Sequence, residues 1–119
     1  TTPLSRRATG ELASEPTRAG VTAELSEPLT GFENHMGATV LGPDASALGR
    51  VTRGVGNGDA KVDGVVQGSV IATYMHGPAL ARNPQLADLL IARALDIPLA
   101  ELQPLELDAV TKLREERLR

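Results

Sequence analysis

The feature that most constrains the fold is a change in the spacing of apolar residues near residue 83. Before it, short segments rich in Val, Thr and Leu alternate with turn signals, a pattern that predicts β-strands. After it, apolar residues recur at helical spacing. Strands followed by helices bury their apolar faces by packing helices against a sheet, so we predict a layered α/β fold.

The first two thirds of the chain predict seven short strands. We expect them near residues 6–14, 20–26, 28–34, 38–41, 48–55, 63–67 and 69–75. Between two of them, the Asn57-Gly58 pair suits a tight hairpin turn that requires positive φ. The segment QGS at 67–69 predicts another turn.

The last third predicts two helices. Asn83 is a favourable N-cap and Pro84 suits the first helical position, so a helix should run from there to about Asp96. Its buried face is expected to carry Leu86, Leu89, Leu90 and Ala94. A second helix is expected after Pro104, with an apolar stripe of Leu107, Val110, Leu113 and Leu118.

Composition excludes several classes of function. The formal net charge of −3 gives no electrostatic footprint for nucleic acid or an anionic membrane, and no apolar run approaches the ~20 residues of a membrane helix. The chain has no cysteine, which excludes disulfides, thiolate metal sites and thiol nucleophiles within these 119 residues. We expect a soluble, cytoplasmic protein, and a start without Met suggests a piece of a longer one.

The rare side chains cluster in two segments. The only Phe, the only Tyr, both Met and both His fall in GFENHMG (31–37) or TYMHG (73–77). His76 ends a predicted strand, and Gly77-Pro78 then predicts a turn towards a helix, where α/β sheets often build their sites. A structural histidine bonded to a backbone carbonyl is the alternative.

Two cofactor interpretations are weak. Glu33, His35 and His76 lack characteristic metal-ligand spacing. The glycines at 54, 56 and 58 do not form a nucleotide-binding loop, since position 59 is Asp and Lys61 is not followed by Ser or Thr. We therefore expect no metal and no cofactor.

Four segments in order resemble one family. They are RRATGEL (6–12), LTGFENHMG (29–37), GVGNGDAKVDG (54–64) and IATYMHGPALARNPQLADLL (71–90). Together they look like the C-terminal half of a class I glutamine amidotransferase of the CobB/CobQ-like branch, and within it the GatD-type subunits of lipid II isoglutaminyl synthase. The resemblance covers roughly residues 5–95 and implies part of a flavodoxin-like layered fold. It implies residues 1–97 as the C-terminal part of the amidotransferase domain and 98–119 as a helical tail.

The resemblance implies a glutaminase, in which a cysteine–histidine pair releases ammonia from the glutamine amide. His76 matches the family's catalytic histidine, which deprotonates the thiol and protonates the leaving nitrogen. Arg7 matches an arginine suited to the glutamine α-carboxylate, unless a shift of register by one gives that place to Arg6. Glu33, Asn34 and His35 match a segment that we assign to shaping the site.

The resemblance also implies partners, and the chain departs from the family in ways that matter. Pro78 stands where many members have an orienting glutamate, so that acid lies in Glu33, in a missing half or in a partner subunit. Residues 36–38 read Met-Gly-Ala where the family has Gly-Gly-Arg. The expected partners are glutamine, a Cys-bearing N-terminal half of the same protein and a Mur-ligase-like ATP-dependent synthetase. Without the Cys-bearing half, this chain is expected to be inactive. The synthetase would amidate lipid II D-glutamate to D-isoglutamine. The alternatives are the glutaminase part of a cobyrinate or cobyrate synthase, or a non-catalytic interaction module.

Overall fold

The computed structural model describes residues 2–58, 60–76 and 78–119, and its centre is a four-stranded antiparallel sheet. The sheet has the order β2-β1-β3-β4, with β1 at Thr2–Pro16, β2 at Leu29–Ala38, β3 at Gly49–Arg53 and β4 at Val62–Asp63. A separate antiparallel hairpin consists of β5 (Val65–Gln67) and β6 (Val70–Ala72). Since β2 lies at one end of the strand order, its outer side is available to later parts of the chain.

Helices follow the strands, as the sequence predicts. They are α1 (Ala79–Arg82), α2 (Pro84–Leu95) and α3 (Asp108–Arg117), with short 3-10 turns at Gly20–Thr22 and Leu99–Glu101. None of the helices in the described part of the chain is long and apolar enough to cross a membrane. The mixed α/β architecture predicted from the sequence is confirmed.

The core is aliphatic. Leu12 of β1 lies opposite Gly31 of β2, and this inward face meets side chains from the loops, β5 and α2. The buried cluster contains Leu12, Leu25, Leu29, Leu48, Val66, Met75, Leu86 and Leu89. Full burial of each such side chain contributes about 1.5–3 kcal/mol relative to exposure, so this cluster is the main support of the fold.

Several predicted strands are wrong in detail. Residues 20–26 form no strand; they begin with the 3-10 turn at Gly20–Thr22, where the Thr22 hydroxyl donates to the Ala19 carbonyl oxygen at 2.6 Å, and Leu25 then enters the core. The strand expected at 38–41 is absent, since β2 ends at Ala38. The one expected at 63–67 is split at Gly64, whose φ of +76° turns the chain from the first sheet to the second.

The hairpin prediction at 57–58 is half right. Gly58 has φ +122°, as such a turn requires, whereas Asn57 does not adopt positive φ. The Asn57 side chain is buried and exchanges hydrogen bonds with the Gly64 backbone, donating at 2.9 Å and accepting at 2.8 Å. The next residue, Asp59, lies outside the described residues. The predicted turn at 67–69 is present, with Gly68 at φ +57° between β5 and β6.

The long helix is confirmed, with two corrections. Leu86 and Leu89 are buried as expected, but Ala94 is exposed and Ala92 takes its place in the core. Asn83 precedes the helix but makes no capping hydrogen bond with its side chain. In the second predicted helix, Val110, Leu113 and Leu118 are half-buried, whereas Leu107 precedes α3 and is 51% exposed.

Candidate active site

Strand β2 separates two groups of polar side chains because successive residues of a strand face opposite sides of the sheet. Gly31, Glu33 and His35 lie on the inward side with the core, whereas Phe32 and Asn34 lie on the outward side and are exposed. We call the outward surface the open face, and it comprises Arg7, Phe32, Asn34, Met36 and His76.

His76 is held on the open face by its backbone. Strand β6 ends at Ala72, so His76 does not end a regular strand; it forms an isolated antiparallel bridge with Phe32. The Phe32 N–H donates to the His76 carbonyl oxygen at 3.3 Å, and the His76 N–H donates to the Phe32 carbonyl oxygen at 2.6 Å. Directly paired residues project to the same face, so the exposed His76 imidazole lies beside Phe32. The turn predicted at Gly77-Pro78 falls in part on Gly77, which lies outside the described residues.

A glycine permits this bridge. A Cβ added to Gly31 would come within 2.8 Å of the Met75 Cβ and 3.0 Å of the His76 carbonyl oxygen. These separations are too short for an ordinary side chain, so Gly31 lets the Met75–His76 segment approach β2.

Arg7 reaches the same face through an irregularity in β1. The pairing of β1 with β2 shifts between Pro3 and Ala8, and Arg7 lies in that bulge. Its Nη1 donates to the Asn34 Oδ1 at 3.0 Å. Asn34 lies two residues from Phe32, about 7 Å along the strand. The Arg7–Asn34 pair and His76 are therefore grouped around Phe32.

Glu33 and His35 form a hydrogen-bonded pair on the inward side. The Glu33 carboxylate is 1% exposed and accepts from the Val55 N–H at 2.8 Å and the Gly56 N–H at 3.2 Å. A Cβ at Gly54 would clash with this carboxylate, so glycine there lets the hairpin close over Glu33. The pair thus fastens the Gly-rich hairpin to β2.

His35 uses both ring nitrogens to connect β2 residues on either side of it. Its Nδ1 lies 2.8 Å from the Gly37 carbonyl oxygen and its Nε2 lies 3.0 Å from the Glu33 Oε1. A carbonyl oxygen only accepts, so Nδ1 donates to Gly37, and Nε2 is the nitrogen that meets the Glu33 carboxyl group.

Tyr74 and Asp63 extend this inward cluster. The Tyr74 ring stacks on His35 with centroids 3.8 Å apart, and its hydroxyl lies 2.7 Å from the Thr39 hydroxyl. The Asp63 carboxylate accepts from the Thr73 hydroxyl and, at 3.2 Å, from the Tyr74 N–H. Burial raises the pKa of Asp63, and nearby Glu33 raises it further, while these hydrogen bonds and His35 oppose the change. The cluster supports residues 73–74, just before His76, from inside.

The structure therefore divides the residues that the sequence singled out. Arg7 and Asn34 are brought together on the face that carries His76, whereas Glu33 and His35 contact each other on the opposite side. Glu33, His35 and His76 do not converge as a metal site would require, and Glu33 does not face His76 to orient it. The sequence interpretation missed Asp63, although a carboxylate at a core-facing strand position is itself a signal.

Comparison with known proteins agrees with these segments. Residues 1–84 match the model of the CobB/CobQ-like glutamine amidotransferase domain. The chain is 45% identical over 73 residues to the GatD subunit of the glutamine-hydrolysing lipid II isoglutaminyl synthase of Streptococcus pneumoniae, covering 60% of this chain and 28% of that protein. The Staphylococcus aureus subunit of the same name is 31% identical over 115 residues, covering 96% and 44%.

Cobyric acid synthases are similar over shorter parts of their length. That of Sphingopyxis alaskensis is 38% identical over 86 residues, covering 71% of this chain and 16% of that protein. The chain thus spans less than half the length of each of these three relatives.

Proposed function

Because the chain belongs to the CobB/CobQ-like glutamine amidotransferase family, we propose that it is the part of a glutaminase that supplies the catalytic histidine. The reaction hydrolyses glutamine to glutamate and ammonia. A cysteine thiolate attacks the side-chain amide carbon, ammonia leaves, and water then hydrolyses the thioester. His76 takes the thiol proton and passes it to the departing nitrogen.

The observation that carries this proposal is the combination of a fixed backbone and an exposed ring at His76. Two backbone hydrogen bonds to Phe32 fix the position of the His76 backbone, while the imidazole ring is accessible on the open face. A general base must come within hydrogen-bond reach of its proton donor, so an accessible and anchored imidazole suits the role. A histidine with a purely structural role would be expected to be largely enclosed, as is His35, whose side chain is 9% exposed.

Arg7 is proposed to bind the α-carboxylate of glutamine. A guanidinium can bind a carboxylate through two parallel hydrogen bonds. Arg7 Nη1 donates to the side-chain Oδ1 of Asn34 at 3.0 Å, which occupies one nitrogen and orients the rest of the guanidinium. Asn34 shapes the site from the open face, and Glu33 and His35 shape it from inside β2 by holding the 54–56 hairpin.

The nucleophile must come from other polypeptide. These residues contain no cysteine, and they correspond to 28% and 44% of the two GatD relatives. We propose that a cysteine-bearing half docks on the open face, where Phe32, the partner of His76, and Met36, farther along β2, are each 40% exposed. Burial of such apolar side chains would stabilise the assembly.

The proposed acceptor is the D-glutamate carboxyl of lipid II, amidated to D-isoglutamine in the cytoplasm by a Mur-ligase-like, ATP-dependent partner that receives the ammonia. The support is the match to the Staphylococcus aureus GatD subunit, which extends over 96% of this chain. A corrin acceptor is the second candidate, favoured by the 38% identity to a cobyric acid synthase. Assaying the assembled enzyme with lipid II and with a corrinoid acid as acceptors distinguishes the two.

The test of the glutaminase proposal is His76→Ala in the assembled enzyme. Glutamine-dependent amidation should fall by at least about 100-fold, while amidation with added ammonium should be unchanged. Gln67→Ala, at an exposed position before the β5–β6 turn, is the control and should leave both activities intact. Loss of both activities in His76→Ala would show a structural role and refute the proposal.

A further inference from the structure

The chain after His76 returns to the same strand that holds His76. In an antiparallel ladder, the partner of Thr30 that follows the Phe32–His76 pair would be Pro78, which has no N–H to donate. The side-chain amide of Asn83 takes that place. Its Oδ1 accepts from the Thr30 N–H at 2.9 Å, and its Nδ2 donates to the Thr30 carbonyl oxygen at 2.7 Å.

His76 and residues 78–83 thus form an arch with both ends on β2. One end is the backbone pair of His76 with Phe32, and the other is the side-chain pair of Asn83 with Thr30. Asn83 also ties the arch internally, since its Nδ2 donates to the Ala79 carbonyl oxygen at 2.7 Å. This is why Asn83 does not act as the helix cap that its position suggests.

Arg82 fastens the same end of the arch from the open-face side. It is buried, and its Nη2 donates at 2.8 Å both to the Glu11 carboxylate and to the Thr30 hydroxyl. Glu11 is the cross-strand partner of Phe32, which in turn pairs with His76. The Arg82–Glu11 ion pair therefore connects the end of α1 to these paired residues.

Arg114 of α3 closes the arrangement from a distant part of the chain. Its Nη1 donates at 2.8 Å to both the Asn83 Oδ1 and the Arg82 carbonyl oxygen. Its Nη2 donates at 2.7 Å to the Pro28 carbonyl oxygen, just before β2. One guanidinium therefore connects the Asn83 end of the arch to Pro28, the residue before β2. Arg114 lies beyond residues 1–84, which match the family model.

We propose that Asn83 and Arg114 are positioning residues for His76, and that α3 is part of the glutaminase site although it lies outside residues 1–84, which match the family model. The inference rests on the proposed function of His76. Neither residue is proposed to touch substrate. Together they hold the far end of the arch so that the imidazole stays in one place relative to β2.

The arch holds His76 but not Arg7, so we expect its loss to lower the rate of hydrolysis and not the binding of glutamine. Without Arg114, two carbonyl oxygens lose a charged donor and the Asn83 end loosens, which displaces His76. Misplacement of a catalytic group by about 1 Å can cost about 100-fold in rate. The Arg7–Asn34 pair is not attached to the arch, so binding of glutamine should change little.

The experiment uses the complete subunit assembled with its partner. In Arg114→Ala, kcat for glutamine hydrolysis should fall about 10- to 100-fold, with KM within about 3-fold of the wild type. Arg114→Lys, which keeps the charge, should recover part of the loss. Lys112→Ala, at an exposed position on the same helix, is the matched control and should be unaffected. Ammonium-dependent amidation should be unchanged in all three.

A second readout follows the arch without activity. Amide exchange at Thr30 and His76, whose N–H groups donate to Asn83 and Phe32, should accelerate about 10-fold in Arg114→Ala and not in Lys112→Ala. An unchanged kcat, or a loss confined to KM, would overturn the positioning role whatever the exchange rates. If His76→Ala retains glutaminase activity, the proposed function itself fails, which is a distinct result.

Asn83→Asp keeps the test decisive if Arg114→Ala does not fold. Aspartate retains an oxygen for the Thr30 N–H and for Arg114 but loses both Nδ2 donations. The same fall in kcat at nearly constant KM is expected. A wild-type kcat in folded Asn83→Asp would refute the proposal.

Discussion

Replacing Glu33 by glutamine isolates the contribution of the buried carboxylate, because the two side chains have nearly the same shape. In the wild type, Oε2 accepts from the Val55 N–H, and Oε1 accepts from the Gly56 N–H and contacts His35 Nε2. A glutamine amide has one oxygen and one NH₂ group. In either orientation, one backbone N–H of the hairpin then faces another N–H.

The magnitude follows from these contacts. A hydrogen bond to a charged group contributes about 1.5–3 kcal/mol, and a buried donor left without a partner costs about 1–3 kcal/mol. Since His35 can re-pair with the new amide as an acceptor, we expect Glu33→Gln to lower the free energy of unfolding by about 2–4 kcal/mol. For a chain of this length, that corresponds to a fall in Tm of roughly 8–16 °C.

Thermal and urea unfolding followed by circular dichroism measure this loss. The chain's single Tyr, Tyr74, stacks on His35, so its near-ultraviolet signal should also change in the folded variant. Glu106→Gln removes the same charge at an exposed position and is the control, with an expected change within about 0.5 kcal/mol. Equal Tm values for the two variants would refute the assignment of Glu33 as the residue that fastens the hairpin.

Two further predictions concern the same region. Burial raises the pKa of Asp63 above its ordinary 3.8, so the folded state holds that proton more tightly than the unfolded chain and the stabilisation from this group declines as pH rises above about 4. Asp63→Asn should remove this decline, which urea unfolding of both proteins at about pH 4 and pH 7 measures. If the free energy of unfolding depends on pH in the same way in the variant and the wild type, the prediction is wrong. Gly31→Ala places a Cβ 2.8 Å from the Met75 Cβ and should cost about 1–3 kcal/mol and speed amide exchange at His76. Gly42→Ala, with no atom within 4 Å of its added Cβ, is the control, and equal stability of the two alanine variants would argue against the close approach.

The sequence predicted the division into strands and helices because that information is local. Periodicity and the Asn-Pro start located α2 to within a residue, and the concentration of rare side chains marked the two segments that pair as Phe32 and His76. The sequence did not predict that Glu33 and His35 lie on the opposite side of β2 from His76. Alternation along a strand shows which residues share a side, but the pairing register is needed to tell which side faces His76.

Two features could not be read from the sequence for physical reasons. Arg7 lies in a bulge of β1, where alternation no longer predicts which face a side chain takes. Asn83 has the local signature of a helix cap, yet its amide pairs with Thr30, 53 positions away, since one carboxamide can both donate to and accept from a strand backbone. A competition between a local and a distant partner is decided by tertiary packing.

The attachment of both arch ends to β2 has a consequence for how such proteins can vary in length. Extra residues at Pro78, before α1 begins, would lengthen a connection whose ends are already fixed, and doubling a loop costs only about 0.6 kcal/mol in closure entropy. An insertion at that point should therefore leave the imidazole where it is. A single deletion between Thr30 and Phe32 would be far more damaging, because it would turn every later side chain of that strand to the other side.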